Sequence, residues 1–446
     1  MVLKLLCLSN GHGEDTIALR ILRALQSLDY PPGQAPEIAA LPLVGEGHAY
    51  ANANIPVVGP VKAMPSGGFI YMDNKQLVRD VKGGLVSLTL DQIKTIRQWG
   101  KSGGSILAVG DVVPLSFAWL SRVPYAFVGT AKSEYYLKDE NGPIPRRTWF
   151  EQLENWSGSV YLPIDRWFME RPNCKAVIPR DTITTQILKQ WDIPAYDLGN
   201  PMMDSLEPTG DLVLPAPVLE KEKSIDQSRQ ATQLEQSIKP TVEIAPIEIL
   251  LLPGSRAPEA HRNWRILLNA MASVQRRLGR RPLVFLAAIA PSLDLTKFVD
   301  ALGTDWHVME TDAANANAST LAFRSSAQPT SFLIVGQTIF NDSLHQADMA
   351  IALAGTATEQ FVGLGKPAIT IPGEGPQFTP AFAEAQTRLL GPSIIPVQAA
   401  NEVGGAIAQL LDNPDQLAHI RRNGQHRMGA PGAAARIAQC LVEVLS

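Results

Sequence analysis

Ten short apolar runs, five in each half of the chain, alternate with helix-length amphipathic stretches, and this alternation leaves few folds open. In the first half the runs are Leu3–Leu8, Ile38–Leu43, Ile106–Val109, Tyr125–Val128 and Ala176–Ile178. In the second they are Ile247–Leu252, Leu283–Ala288, Phe332–Val335, Met349–Leu353 and Ala368–Ile371. Strand-length runs that are apolar throughout suit parallel sheets covered by helices on both faces. The expectation is an α/β chain made of two similar halves.

At 446 residues the chain is long enough for two or three domains, each with its own core. A formal charge of −4, with 18% charged residues, gives no global basic field, so nucleic acid is not expected as a partner. Cys7, Cys174 and Cys440 are far apart in apolar runs and lack metal-ligand spacing, which points to buried thiols in a reducing compartment. The run Val2–Leu8 is too short for a signal-peptide core and leads into a glycine-rich turn, so it reads as a first strand. Asp111, Pro114, Arg122 and Pro124 interrupt the longest apolar region, Ile106–Val128, and no spanning helix is expected.

From Glu207 to Pro246 the chain has no aromatic residue and a Lys/Glu/Gln/Ser-rich middle, the composition of a linker or solvated insertion. A second polar stretch, Thr311–Ser331, reads as a loop. After Met428-Gly429-Ala430-Pro431-Gly432 the chain continues as an Ala-rich amphipathic helix, long enough to return to the first half.

Chemistry-bearing residues follow the strand candidates. Gly355-Thr356-Ala357-Thr358-Glu359-Gln360 succeeds an apolar run and opens a helix, so backbone N–H groups and two hydroxyls face a ligand, as a diphosphate requires. Glu359, in the first turn, suits ribose hydroxyls; the competing reading is an ordinary strand–turn–helix joint with a Thr cap. Ile249-Leu250-Leu251-Leu252-Pro253-Gly254-Ser255-Arg256 is again strand then turn, and Arg256 can hold a phosphate bidentately or lie at the surface. Gly373-Glu374-Gly375-Pro376-Gln377 adds a second glycine loop in which Gln377 can bond a sugar hydroxyl.

In the first half, Ser9-Asn10-Gly11-His12-Gly13-Glu14-Asp15 turns sharply out of the first strand. There His12 is a general base, a binder of an acceptor hydroxyl or phosphate, or, with Asp15, a helix cap. Gly110-Asp111 places a lone carboxylate past a strand end, to serve as proton acceptor for a sugar hydroxyl or to cap the next helix. No full Walker G-x-x-x-x-G-K-[ST], H-E-x-x-H or D-x-D pattern occurs, and Gly100-Lys101-Ser102-Gly103-Gly104, which matches G-x-S-x-G, precedes a strand candidate where a nucleophile elbow would follow one; kinase, serine-hydrolase, zinc-protease and D-x-D metal-bridged readings are disfavoured.

Gly110-Asp111, Gly199–Asp204 (GNPMMD), Leu251–Arg256 (LLPGSR) and Gly355–Gln360 (GTATEQ), in this order, resemble lipid-A-disaccharide synthase and, more closely, the proteins described as related to it. SNGHGED stands where the synthase has its own glycine-and-acid loop. The resemblance covers nearly the whole chain outside the linker and insertions. It implies a GT-B fold of two Rossmann-like domains facing across a cleft, the acceptor held by the first and the donor mainly by the second. A UDP-acylated glucosamine would then donate its sugar to a lipid-linked glucosamine phosphate, with inversion and without metal. Asp111 matches the acid loop implicated in catalysis, Arg256 the phosphate-binding arginine, and Gly355–Glu359 the nucleotide loop. The chain departs from the family at Pro376-Gln377-Phe378-Thr379-Pro380, where the synthase has an Asn-containing segment. His12 is similar instead to the glycine-rich His loop of the peptidoglycan N-acetylglucosaminyl transferase.

The organisation expected is an acceptor-binding domain at 1–206, a polar linker or insertion at 207–246, a nucleotide-sugar domain at 247–426 and a C-terminal helix at 427–446. The expected activity is that of an inverting, metal-independent glycosyltransferase that needs no cofactor. A UDP-N-acetylglucosamine 2-epimerase-like enzyme and a non-catalytic sugar-nucleotide-binding protein are the alternatives. Asp111 and His12 are the catalytic candidates; Gly11, Gly13, Glu14 and Asn200 are placed on the acceptor side. The donor side takes Gly254, Ser255, Arg256, Gly355, Thr356, Ala357, Thr358, Glu359 and Gln377. The partners expected are a UDP-sugar, a lipid acceptor and a membrane surface, with a homodimer as an option. Cations beside large apolar groups at Ala63–Met72, Val78–Leu90, Arg146–Phe150 and Arg166–Met169 suggest a lipid-facing patch, and core packing is the alternative. The location expected is the cytoplasmic face of the plasma membrane.

Overall fold

The computed structural model describes residues 2–11, 13–62, 85–145, 156–214, 245–309, 320–373, 375 and 378–446. They fall into two compact units, Met1–Asp204 with Met428–Ser446, and Ser205–Arg427.

The first unit is built on β1 (Lys4–Ser9), β2 (Glu37–Pro42), β3 (Ser105–Gly110), β4 (Tyr125–Gly129) and β7 (Cys174–Ile178), with a short hairpin β5 (Lys138–Asp139) and β6 (Gly142–Pro143) aside. The five strands are parallel in the order β2-β1-β3-β4-β7, so the chain reverses its direction of travel across the sheet between β1 and β3. Every residue of β3 and β4 is buried, as strands packed on both faces require. Ser9 pairs with Val109 and Gly110 with Gly129, so Asn10, Asp111 and Thr130 leave neighbouring strands at one edge.

The closing helix, Ala433–Leu445, belongs to this unit and packs on the helix Gly13–Gln26. Its first turn is capped by a distant carboxylate: Asp204 accepts from the N–H groups of Gly432 (2.5 Å), Ala433 (3.2 Å) and Ala434 (2.6 Å).

The second unit contains β8 (Ile247–Leu252), β9 (Leu283–Ala288), β10 (Trp306–Val308), β11 (Thr320–Ser325), β12 (Ser331–Gly336), β13 (Met349–Ala352), β14 (Ala368–Thr370) and β15 (Ile394–Pro396). Their order is β10-β11-β12-β9-β8-β13-β14-β15, antiparallel only where β11 pairs with β10 and with β12. Here the chain reverses between β8 and β13, which end in register at Leu252 and Ala352. Trp264, Phe285 and Phe298 fill the core beneath.

The ten apolar runs are all strands, to within a residue or two at their ends. The stretch Thr311–Ser331, expected to be a loop, instead holds β11 and the first residue of β12. β11 lies second from the edge of the sheet, flanked outside by only the three-residue β10, and its half-buried Thr320 and exposed Arg324 are the kind of polar residue that hid it. Residues 205–214, expected to be mostly linker, belong to the second unit, and their backbone is tied to the helix Phe340–Gln346. Cys7, Cys174 and Cys440 are buried free thiols.

Candidate functional site

In an open α/β sheet, ligands bind beyond the carboxyl ends of the strands, where the strand order reverses. In the first unit that position lies between β1 and β3, and Glu14 and Asp111 occupy it. Asp111 caps the helix Val112–Leu120, its Oδ1 accepting the Val113 N–H at 2.8 Å, while Asn10 Nδ2 donates to Oδ2 at 3.4 Å. Glu14 lies in the first turn of Gly13–Gln26 and accepts from the Thr130 hydroxyl at 3.1 Å. Gly110, at φ +135°, leaves the room this needs, since a Cβ there would lie 2.8 Å from Glu14 Oε2.

Asp111 is therefore a helix cap, but it is not the lone carboxylate expected. Burial raises the pKa of both carboxyls, and the Asp111 charge adds to the effect on Glu14, which the Thr130 hydroxyl only partly offsets. Glu14 is pushed up to about 8, so near neutrality the pair retains a proton. Lys132, held by Asp165 at 2.5 Å, works in the opposite direction on Asp111.

The remaining expected residues divide. Gly11, at φ +93°, makes the sharp turn after β1, where a Cβ would meet Val44 O at 3.0 Å. Gly13 is exposed at the start of the helix. Asp15, the other cap candidate, turns its carboxylate inward to the Ser9 hydroxyl at 2.5 Å, which also meets Tyr50 at 2.6 Å. Asn200 is not among the contacts of the carboxylate pair. Its Oδ1 caps the turn Pro201–Met203 through the Met202 N–H at 3.0 Å. His12 lies outside the described residues.

The raised Glu14 has a consequence for stability. A carboxyl with a folded pKa near 8 against an ordinary 4.5 favours the folded state below pH 4.5, and that contribution disappears as pH rises through about 8. Glu14→Gln keeps an acceptor for Thr130 and carries no charge. The variant should melt with wild type near pH 4.5 and above it near pH 8, by on the order of 2 kcal/mol once solvent screening is allowed for. Identical melting curves at the higher pH would refute the perturbed carboxyl.

In the second unit the reversal between β8 and β13 brings together the Gly254–Arg256 and Gly355–Glu359 turns. Gly254, at φ +94°, passes close beneath Leu353, whose carbonyl would lie 3.4 Å from a Cβ there. Asn263 joins the two turns, its Nδ2 donating to Pro253 O at 2.9 Å and Leu353 O at 3.3 Å. Gln386 Nε2 holds the carbonyls of Ala354 and Gly355 at 3.2 and 3.3 Å.

Gly355 precedes the helix Thr356–Gly363, with Thr356 exposed, Ala357 half-buried and Glu359 buried in the first turn. Only one of the two expected hydroxyls faces outward, because Thr358 Oγ1 donates back to Ala354 O at 2.6 Å. Ser255 is exposed and Arg256 half-buried at the edge of the same turn. Gln377 lies outside the described residues. Sequence reasoning missed Asn263, Gln386, Thr130 and Glu259. For Asn263 there was a signal, a polar residue on the apolar stripe that includes Trp264 and Leu267.

Of the suggested lipid patch, Ala63–Met72 and Arg146–Phe150 lie outside the described residues, while Leu88 is buried and Leu90 exposed. Arg166 is not a surface cation. It is buried against Trp191 with its Nη1 on the carbonyls of Ser157 and Tyr161, and Phe168 and Met169 are also buried. Trp156, at 80% exposure, Ile164 and Trp167 are the large apolar groups left facing solvent in this region. Among the described residues no helix is long and apolar enough to cross a membrane.

A scan against protein-family models finds no match, and a search of curated proteins finds none. Solved structures do match. The chain is similar to MurG from Acinetobacter baumannii, at 12% identity and a TM-score of 0.52 over 99% of each chain. It is similar to S. aureus MnaA in its UDP co-structure, at 12% identity and a TM-score of 0.50, over 98% of this chain and 94% of that one. A UDP-GlcNAc 2-epimerase from Neisseria meningitidis bound to UDP-GlcNAc follows at 14% identity and a TM-score of 0.49, over 99% of this chain and 100% of that one. The likeness extends over nearly the whole chain, and with the two sheet orders above it gives the fold as GT-B, two Rossmann-like α/β domains in succession.

Proposed function

We propose that the chain is a UDP-sugar-dependent glycosyltransferase that inverts the donor sugar and passes it to the hydroxyl of a lipid acceptor. The observation that carries this reading is the matched pair of reversal points, one holding two proton-sharing carboxylates and the other a glycine-lined turn at a helix N-terminus. The UDP in the co-structure of S. aureus MnaA, a protein of the same fold, supports the choice of nucleotide. The diphosphate would lie on the N–H groups after Gly254 and Gly355, with Arg256 on its oxygens and Glu359 on the ribose. Asp111 would take the proton of the acceptor hydroxyl as its oxygen bonds to the anomeric carbon and the bond to the diphosphate breaks, releasing UDP. Glu14, holding its own proton, relieves the repulsion that would otherwise protonate Asp111. The finer reading follows the resemblance to lipid-A-disaccharide synthase: an acylated amino sugar as donor group and a reaction at the cytoplasmic membrane surface.

UDP should raise the melting temperature, because it binds only the folded state, and EDTA should leave that rise intact. Arg256→Ala removes a charge-assisted contact and should weaken UDP by about ten- to a hundred-fold. Equal affinity in the variant would take Arg256 out of the site. Nucleotide release that depends on added lipid extract separates transfer from epimerisation, which needs no second substrate, and from silent binding.

For the membrane, wild-type protein should cosediment with anionic liposomes. Trp156→Ser with Ile164→Ser should reduce that association while UDP binding and the melt are kept, since both side chains are exposed. Unchanged sedimentation would remove this patch from the contact.

A further inference from the structure

Three loops leave the carboxyl edge of the second sheet, and one face of the helix Glu259–Leu278 reaches all of them. Asn263, one turn after Glu259, ties the end of β8 to the end of β13 through Pro253 O and Leu353 O. Glu259 reaches the loop after β14, where its Oε1 accepts the Phe378 N–H at 2.7 Å. Gly375 has no side chain where that carboxylate lies, for a Cβ there would come 2.0 Å from Oε1. Gly373, at the start of the same loop, would place a Cβ 3.4 Å from Asn263 Oδ1. Both side chains are buried, Glu259 at 5% exposure and Asn263 at 1%, too deep in the helix packing to meet a ligand first.

We propose that Glu259 and Asn263 are positioning residues of the nucleotide pocket, setting the spacing of the β8, β13 and β14 loops so that their N–H groups converge on the ligand before it arrives. The proposal rests on reading that pocket as a UDP site. A loop that must be ordered at the moment of binding subtracts its ordering cost from affinity, whereas a loop already held does not. Gly375 belongs to the same device, since it makes room for the carboxylate that holds Phe378.

Calorimetric titration of UDP into wild type, Glu259→Ala, Gly375→Ala, their double variant and Asn263→Ala tests this. Each single change should weaken UDP by about ten-fold. The double should lose little more than either single, because both act through one contact. Glu259→Gln, which keeps the Oε1 acceptor, should restore near-normal affinity. A merely structural role would instead lower the melting temperature with UDP affinity unchanged, and that result overturns the proposal, as do additive losses in the double variant. If Glu259→Ala fails to fold, Gly375→Ala alone decides, since wild-type affinity there is incompatible with the device. Wild-type protein that binds no UDP overturns the nucleotide reading itself, and this proposal with it, an outcome distinct from all the others.

Discussion

Asp111→Asn should bind UDP as wild type does and turn over about 10²–10⁴-fold more slowly, the usual cost of a missing general base. The substitution isolates the chemistry because Asn still caps a helix, so the Val113 N–H at 2.8 Å keeps its acceptor. What is lost is the capacity to take a proton. The rate should also fall as pH rises through about 8, where Glu14 gives up its proton and two adjacent anions are left. Glu14→Gln should remove that falling limb while retaining measurable turnover. Normal turnover in Asp111→Asn beside an inactive His12→Ala would move the base to His12. If both variants stay active, the site lies elsewhere.

The strands and the two turns were legible because their signals are local. An apolar run such as Leu107–Val109 declares a buried strand, and a glycine such as Gly110 or Gly254 declares a backbone conformation that other residues resist. The partners of those residues were not legible. Glu14 meets Thr130 across 116 positions and Glu259 meets Phe378 across 119, distances over which periodicity carries no information. Side-chain direction was equally hidden. Arg166 carries the composition of a lipid-facing cation, yet Trp191 and two carbonyls draw it inward, and Thr358 uses its hydroxyl within its own helix. Strand β11 escaped because its six residues, next to a polar stretch and including Thr320, Arg324 and Ser325, show neither a continuous apolar run nor clean alternation.

The largest effect on stability is expected in the second unit, at Asp342. Its Oδ1 accepts from the N–H groups of Thr209 (2.7 Å) and Gly210 (2.9 Å), and its Oδ2 from those of Asp211 (2.7 Å) and Leu212 (3.0 Å) and from the Thr209 hydroxyl (3.0 Å). Burial alone would raise this carboxyl, but the ring of backbone donors outweighs it and holds the pKa below its ordinary 3.8. Asn341 and His345, on the same helix, bind the carbonyls of Ser205, Leu206 and Glu207, so one short helix fixes both backbone edges of the segment that opens the second unit. Asp342→Ala leaves four N–H groups to find water or go unpaired and should cost about 2–4 kcal/mol at neutral pH, less than the summed bonds because part of the segment is exposed. Asp342→Asn should recover little, since its amide turns two donors toward a ring of donors. The sign with pH is opposite to that of Glu14. A depressed carboxyl stabilises above its unfolded pKa, and the contribution is lost as pH falls below about 3.8 through the folded value. The melting gap between wild type and Asp342→Ala should therefore be widest near neutrality and close in acid. A gap that is absent at pH 7, or that widens as the pH is lowered, would mean that Asp342 does not hold this segment.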